Sequence, residues 1–261
     1  MSKKNNLFFN NLENFKNNTA LILENNKFIT YHELLLSTKK ISKKIEKEKR
    51  LIFLLGQNDL ETITAYISFI NSGHTVAFLD SKINKMLLRR LVSLYKPSYI
   101  FCDNEKTKKI NLYSSILDFK SYVLYKRKKN VEYVLHKDLM LLMSTSGTTG
   151  SPKFVRQSYL NVNSNTKKII NYLNIKSKDT TITSLPISYV YGLSVINTHL
   201  QVGATVVLTN CSMVEKKFWM LIKDYKVNNF SGVPYNYSII EKISRKGLPS
   251  SLKYTTQAGG K

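Results

Sequence analysis

Leu139-Met140-Leu141-Leu142-Met143 runs directly into Ser144-Thr145-Ser146-Gly147-Thr148-Thr149-Gly150-Ser151-Pro152-Lys153. The first five residues read as a short buried strand, and the loop after them stacks hydroxyls and glycines in an order that a plain turn rarely needs. Gly147 and Gly150 let the backbone approach anionic oxygens and turn N–H groups toward them. Ser146, Thr148 and Thr149 add hydroxyl donors, with Thr149 also suited to contact magnesium, and Lys153 adds a point charge. Pro152 removes one donor and stiffens the exit beside that lysine. This chemistry suits a polyphosphate. The common P-loop ends in Gly-Lys-Ser/Thr at a helix start, whereas Lys153 follows Pro152 and precedes Phe154, so the usual NTPase pattern is disfavoured.

Working outward, short apolar runs recur at 51–55, 75–79, 99–102, 181–185, 205–208 and 227–230, separated by helix-like stretches. Residues 61–72 place Ile63, Tyr66, Ile67 and Ile70 on one helical face and stop at Gly73, where a left-handed cap costs little. Residues 84–96 repeat the pattern with Leu87, Leu88, Leu91, Val92 and Tyr95 before Pro97 ends it. Residues 215–226 repeat it again and should bury Phe218, Trp219, Leu221, Ile222 and Tyr225. Strands alternating with such helices need crossover connections, so the expected fold class is α/β, with mostly parallel sheets flanked by helices. No short repeat or Pro/Gly linker divides the chain. A soft boundary at Lys176–Thr180 gives a first αβ subdomain over 1–178, which includes the loop, and a partial second one over 179–261.

The chain of 261 residues is 43% hydrophobic, enough for one large core or two modest ones. Its 40 basic residues against 17 acidic give a formal charge of +23, which alone would suggest a polyanionic partner. The abundance of Lys, Asn, Ile and Tyr together also has the look of an AT-rich coding bias. The basic runs at 39–50 and 126–129 carry no interleaved aromatic recognition motif and read as solvated surface, so nucleic acid is disfavoured as a partner. Only Cys102 and Cys211 are present, which excludes a secreted disulfide framework, and neither a signal-type segment nor a membrane-spanning run is found; a cytoplasmic protein is expected. His32, His74, His136 and His199 are scattered without ligand spacing and read as structural or exposed.

The segment from Ser144 to Lys153 closely resembles the signature of the AMP-forming acyl-adenylate superfamily, which includes acyl-CoA synthetases, peptide-synthetase adenylation domains and luciferases. Thr30-Tyr31-His32-Glu33-Leu34 is similar to an upstream segment of that family, and Ala65 to Leu79 to another, with Gly73 in place. Pro186 to Leu193, Gly232-Val233-Pro234 and Gly259-Gly260 resemble its later motifs in the same order. The resemblance implies the large N-terminal domain of such enzymes, truncated, and joining of a carboxylic acid to ATP before transfer to a thiol of coenzyme A or a phosphopantetheinyl carrier.

By that resemblance, Thr145, Ser146, Gly147, Thr148, Thr149, Gly150 and Lys153 contact the ATP phosphates, with Lys153 and Thr149 the catalytic candidates and Thr149 the magnesium contact. Gly259 and Gly260 would lie against the adenine. Tyr189, Val190 and Gly192 would line the acyl pocket. Relatives acting on α-amino acids usually place an aspartate where this chain has Val190, and an unpaired ammonium is costly, so a fatty, aromatic or hydroxy acid is expected.

Two departures stand out. Phe154 replaces the usual glycine after the loop lysine. The family's acidic magnesium ligand, ribose-binding aspartate, hinge and C-terminal domain with its catalytic lysine do not occur in this sequence. Three readings therefore stay open: the front part of an acid–thiol ligase completed by a C-terminal polypeptide, a non-catalytic relic or nucleotide-binding interaction module, and, more weakly, a nucleic-acid binder.

Overall fold

The computed structural model describes residues 8–103, 112–144, 154–243 and 247–259. In chain order the elements are β1 (Thr19–Ile22), β2 (Phe28–Thr30), α1 (Tyr31–Ser42), β3 (Leu51–Gly56), α2 (Leu60–Asn71), β4 (Thr75–Asp80), α3 (Lys85–Tyr95), β5 (Tyr99–Asp103), β6 (Tyr113–Phe119) and β7 (Tyr122–Arg127). Then follow β8 (Leu139–Ser144), β9 (Phe154–Ser158), α4 (Tyr159–Leu173), β10 (Thr180–Ile182), α5 (Val190–Gln201), β11 (Thr205–Val207), α6 (Lys216–Asp224), β12 (Asn229–Gly232), α7 (Pro234–Ile243) and β13 (Tyr254–Gln257). They form two compact units that are not consecutive stretches of chain. The first comprises Met1–Asn10, Leu35–Gln57 and Glu61–Ser164, and the second Asn11–Leu34, Asn58–Leu60 and Asn165–Lys261.

The first unit holds a sheet in the order β6-β7-β5-β3-β4-β8-β9. Its centre is parallel, because the β3-α2-β4 and β4-α3-β5 connections cross over through helices. Strand β3 is buried along its whole length, which is why it reads as an unbroken apolar run. Alternation along the strands sorts the two faces: Phe53, Ala77, Leu79, Ile100 and Cys102 pack with Leu88, Leu91 and Val92 of α3. Toward α2, Phe78 meets Tyr66 at 5.2 Å and Phe101 meets Phe69 at 6.0 Å between ring centroids. Helix α3 ends before Pro97 as expected and is capped at both ends: the Met86 N–H donates to the Asn84 side chain at 2.8 Å, and Lys96 closes it in a left-handed conformation. Helix α2 is followed by Gly73 at φ +83°.

Both edges of this sheet turn antiparallel, through β5-β7 and β6-β7 on one side and β8-β9 on the other. The parallel centre is the expected one; the antiparallel margins are additional to it. Phe154 opens β9 and faces inward, its ring 5.0 Å from Tyr95 and 6.4 Å from Phe53. The bulk that departs from the family's glycine is thus a packing residue. Phe154→Ala should lower the unfolding free energy by about 1–2 kcal/mol, less than for a fully buried ring. Urea denaturation checks this, and a change under about 0.5 kcal/mol would leave the phenylalanine without a structural role.

The second unit holds a sheet in the order β13-β12-β10-β11-β1-β2, parallel except for the terminal β1-β2 pair. Phe218, Leu221 and Ile222 of α6 are buried over Ile22, Ile182, Val207 and Phe230. Trp219 and Tyr225, expected inside, are only partly buried: the Trp219 indole N–H donates to the Met213 carbonyl at 2.7 Å, and the Tyr225 hydroxyl donates to the Asn26 side chain. Tyr31, fully buried, donates its hydroxyl proton to the Ala204 carbonyl at 2.7 Å. No helix among the described residues is long and apolar enough to cross a membrane.

Candidate functional site

In open parallel sheets, ligands bind at the carboxyl ends of the strands, where loops leave the ladder and backbone groups lose their sheet partners. In the second unit, three such loops leave the adjacent strands β10, β12 and β13, and side chains tie them together. The Tyr191 hydroxyl lies 2.7 Å from the Thr256 hydroxyl, and Ser231 Oγ lies 2.8 Å from that same atom. Tyr237 donates its hydroxyl proton to the Thr256 carbonyl at 2.6 Å, and Ser184 donates to the Ser231 carbonyl. A hydroxyl lattice therefore holds three loop stems in one arrangement.

The loop after β10 is fixed from inside by Asn58. Its amide nitrogen donates to the Leu185 and Thr209 carbonyls at 3.2 and 3.1 Å, and its amide oxygen accepts from the Ile187 N–H at 2.9 Å. One buried side chain thus satisfies three backbone groups that have left the sheet. The Tyr189 N–H then donates to the Pro186 carbonyl at 3.0 Å, and Tyr189 becomes the residue that precedes α5.

Of the expected acyl-pocket residues, Tyr189 and Val190 are both more than two-fifths exposed at the start of α5, whereas Gly192 is buried in its first turn. A Cβ on Gly192 would stand 2.3 Å from the Pro186 carbonyl oxygen and 2.9 Å from that of Leu185. The glycine is what lets the Leu185–Pro186 backbone cross the helix. Gly192→Ala should therefore cost about 2 kcal/mol, an overpacking penalty against backbone that cannot rotate away. Thermal unfolding tests it, and an unchanged midpoint would show that the crossing has slack.

Gly259 follows β13 at φ +80°, and a Cβ there would lie 3.1 Å from the Tyr189 hydroxyl oxygen and 3.8 Å from Val233 Cγ1. The structure thus brings the expected adenine-side turn against an expected acyl-pocket residue. Gly232 completes the group: its carbonyl accepts from the Ala258 N–H at 3.3 Å, while the Val233 N–H donates to the Asn236 side chain at 2.8 Å. Asn58, Ser184, Tyr191, Ser231 and Thr256 were not expected from sequence. Tyr191 lies within the Pro186 to Leu193 stretch without having been singled out there, and the other four sit in no local pattern that marks them.

In the first unit, β8 ends at Ser144, and Ser144 pairs with Phe154 across the antiparallel β8-β9 ladder. Thr145, Ser146, Gly147, Thr148, Thr149, Gly150 and Lys153 lie outside the described residues, as does Gly260. Their bracketing strands are described: Met143 pairs with Val155, and Phe78 of β4 pairs with Met143. Among the described residues, no group of three or more His, Cys, Asp or Glu could hold a metal ion.

Residues 8–261 match the AMP-binding enzyme family. The chain is 25% identical over 255 residues to 2-succinylbenzoate–CoA ligase of Listeria innocua serovar 6a, covering 93% of this chain and 52% of that protein. The fold is similar to that of ATP-bound MatB from Rhodopseudomonas palustris, with a TM-score of 0.79 at 17% identity, over 98% of this chain and 55% of that one. It is likewise similar to o-succinylbenzoate CoA synthetase (MenE) of Bacillus subtilis in complex with its acyl-adenylate intermediate, with a TM-score of 0.76 at 22% identity, over 97% and 54%. The chain spans about half the length of the curated relatives it matches first.

Proposed function

The chain belongs to the AMP-binding enzyme family, and on that premise we propose that it is the ATP-gripping portion of an enzyme that activates a carboxylic acid as an acyl-adenylate for ligation to a thiol. A free carboxylate is a poor electrophile. Attack of its oxygen on the α-phosphorus of ATP expels pyrophosphate and leaves AMP as the group that a thiolate later displaces. The protein must hold two anions together and offset the charge that develops on phosphorus. Thr145 to Gly150 and Lys153 fill that role in the proposal, and magnesium bound with the triphosphate, contacted by Thr149, would neutralise part of its charge. The observation that carries this reading is the ten-residue Ser144–Lys153 sequence at the carboxyl end of a parallel-sheet strand, in a chain whose family match spans residues 8–261.

The contact between Gly259 and Tyr189 supports the assignment of the second-unit residues, because an acyl-adenylate carries its acyl and adenosine ends on one phosphate. Tyr189, Val190 and Gly192 take the acyl side, and Gly259 with Gly260 the adenine side. Val190 offers no charge for a substrate ammonium, so the acid is fatty, aromatic or hydroxylated, not an α-amino acid. The acceptor is coenzyme A or a phosphopantetheinyl carrier.

Carboxylate-dependent ATP–pyrophosphate exchange tests the proposal, run on the chain alone and with a C-terminal polypeptide that supplies the remaining motifs. Exchange with at least one acid from a broad panel is the expected result. Mg-ATP binding without exchange in either arrangement would instead favour a nucleotide-binding module, and no nucleotide binding at all would sink both readings.

A further inference from the structure

At the opposite, amino-terminal ends of β12 and β13 lies a cavity of about 910 Å³, between α6 and the segment 247–251. It shares no residue with the candidate site at the carboxyl ends of these strands. Its far wall is fixed: the Ser251 hydroxyl donates to the Val227 carbonyl at 2.9 Å, and the Lys253 N–H donates to the Asn228 carbonyl at 2.8 Å.

The lining divides into an apolar floor and a cationic rim. Trp219, Met220 and Leu248 supply the floor, and Lys216, Lys223 and Lys226 the rim. Met220 and Leu248 are 52% and 46% exposed, so these apolar groups face the cavity without cover. The Trp219 ring is held edge-on to Phe218 and Phe230, and its only polar atom is already bonded to Met213. What it offers the cavity is therefore apolar surface alone. Residues 216, 219, 220 and 223 follow the i, i+3, i+4, i+7 spacing of one helix face, which puts lysines at both ends of the apolar stripe, about 10 Å apart. None of the three rim lysines makes an ion pair among the described residues. Like charges around an uncovered apolar hollow repel one another, and an anion seated there relieves that repulsion.

We propose that this cavity binds an amphipathic anion, a carboxylate or phosphate monoester whose aliphatic chain lies on Trp219, Met220 and Leu248 and whose head group meets the lysines. The volume is that of a small-molecule site. A hollow walled by α6 on one side and by 247–251 on the other favours a discrete ligand over a flat membrane surface, and a single aromatic ring is too little for successive base stacking.

Trp219 is the only tryptophan in the chain, so its emission reports on this cavity alone. The test titrates the 261-residue chain with dodecanoate and, separately, with dodecyl phosphate, both below micelle-forming concentrations, with dodecanol as the neutral control. A saturable emission change is expected for at least one anion, and the tighter of the two identifies the head group. Dodecanol, and the anions added to the K216Q/K223Q/K226Q variant, should bind at least about tenfold more weakly, the loss of roughly one charge-assisted contact. K40Q/K43Q/K44Q, which removes the same charge elsewhere, should bind like the parent. The inference is overturned by no saturable change with either anion, by equal affinity for dodecanol, or by equal weakening in the two triple variants.

Discussion

Lys153→Ala lowers Mg-ATP affinity about 10- to 100-fold while leaving the unfolding free energy within about 0.5 kcal/mol of the parent. The first figure follows from the role proposed for Lys153 on the triphosphate: a hydrogen bond to a charged group is worth about 1.5–3 kcal/mol, and each 1.4 kcal/mol is a factor of ten. The second follows from the residues on either side of the loop. Ser144 and Phe154 face each other in the β8-β9 ladder, and Phe154 is packed on Tyr95 and Phe53, so the stem is stabilised by groups that the substitution leaves in place. Lys153→Arg should recover only part of the affinity, because a planar guanidinium keeps the charge and loses the compact ammonium geometry. Calorimetric titration of both variants decides it. Parent-like affinity in Lys153→Ala would remove the lysine from the phosphate site.

The proposed phosphate role of the loop above this stem rests on residue types alone. Phosphate chemistry constrains residue types one by one, so glycines, hydroxyls and a lysine appear in a fixed order within ten residues. The central strands were legible for a related reason: β3 and β4 are covered on both faces, so they carry continuous apolar runs with helical periodicity between them. The edges lack that constraint. Strand β6 exposes Ser114, Ser115 and Asp118, and its hairpin to β7 turns through Lys120 at φ +56° where a glycine or asparagine would have marked the turn.

The candidate site in the second unit was half legible. Tyr189, Gly192 and Gly259 sit in recognisable stretches, but nothing in the sequence says that the Tyr189 phenol abuts Gly259. Asn58 lay further out of reach. It holds the loop 185–187 from more than 120 positions away, and its role exists only because the fold brings those carbonyls to it. Likewise the Thr256 hydroxyl acquires meaning only beside Tyr191 and Ser231. Long-range satisfaction of backbone groups leaves no local pattern.

Acid should begin to destabilise this protein above the carboxylate range, from about pH 6.5 downward, and two buried histidines are the reason. Burial pushes His74 down to about 4, with the nearby Lys49 cation pushing in the same direction, and burial likewise pushes His199 down to about 4. The bonding of His74 suits a neutral ring, because the Arg50 N–H donates to its Nδ1 at 3.1 Å, which protonation there would forbid; His199 Nδ1 donates to the Val195 carbonyl at 2.8 Å, which opposes the downward push without offsetting burial. Between pH 6.5 and 4 the unfolded chain binds these protons and the folded chain does not, so stability falls as pH falls across that window. Each histidine contributes about 3 kcal/mol to the loss, one in each unit, against a total of about 5–15 kcal/mol for a typical domain.

Other shifted groups act outside the window. Lys49, pulled down to about 8 by burial, finishes protonating above it. Glu33, held below the usual range by the Thr30 N–H and hydroxyl, and Glu46, held low by Lys126, lose their contributions only below the ordinary carboxylate value. Asparagine places a polar atom close to where Nδ1 sits, so His74→Asn and His199→Asn keep the local bond and remove the titration. Urea midpoints measured from pH 7.5 to 4.5 should therefore fall less steeply in each variant than in the parent. Superimposable pH dependences for parent and variants would mean that neither ring is kept neutral by the fold, and the acid sensitivity would have to lie elsewhere.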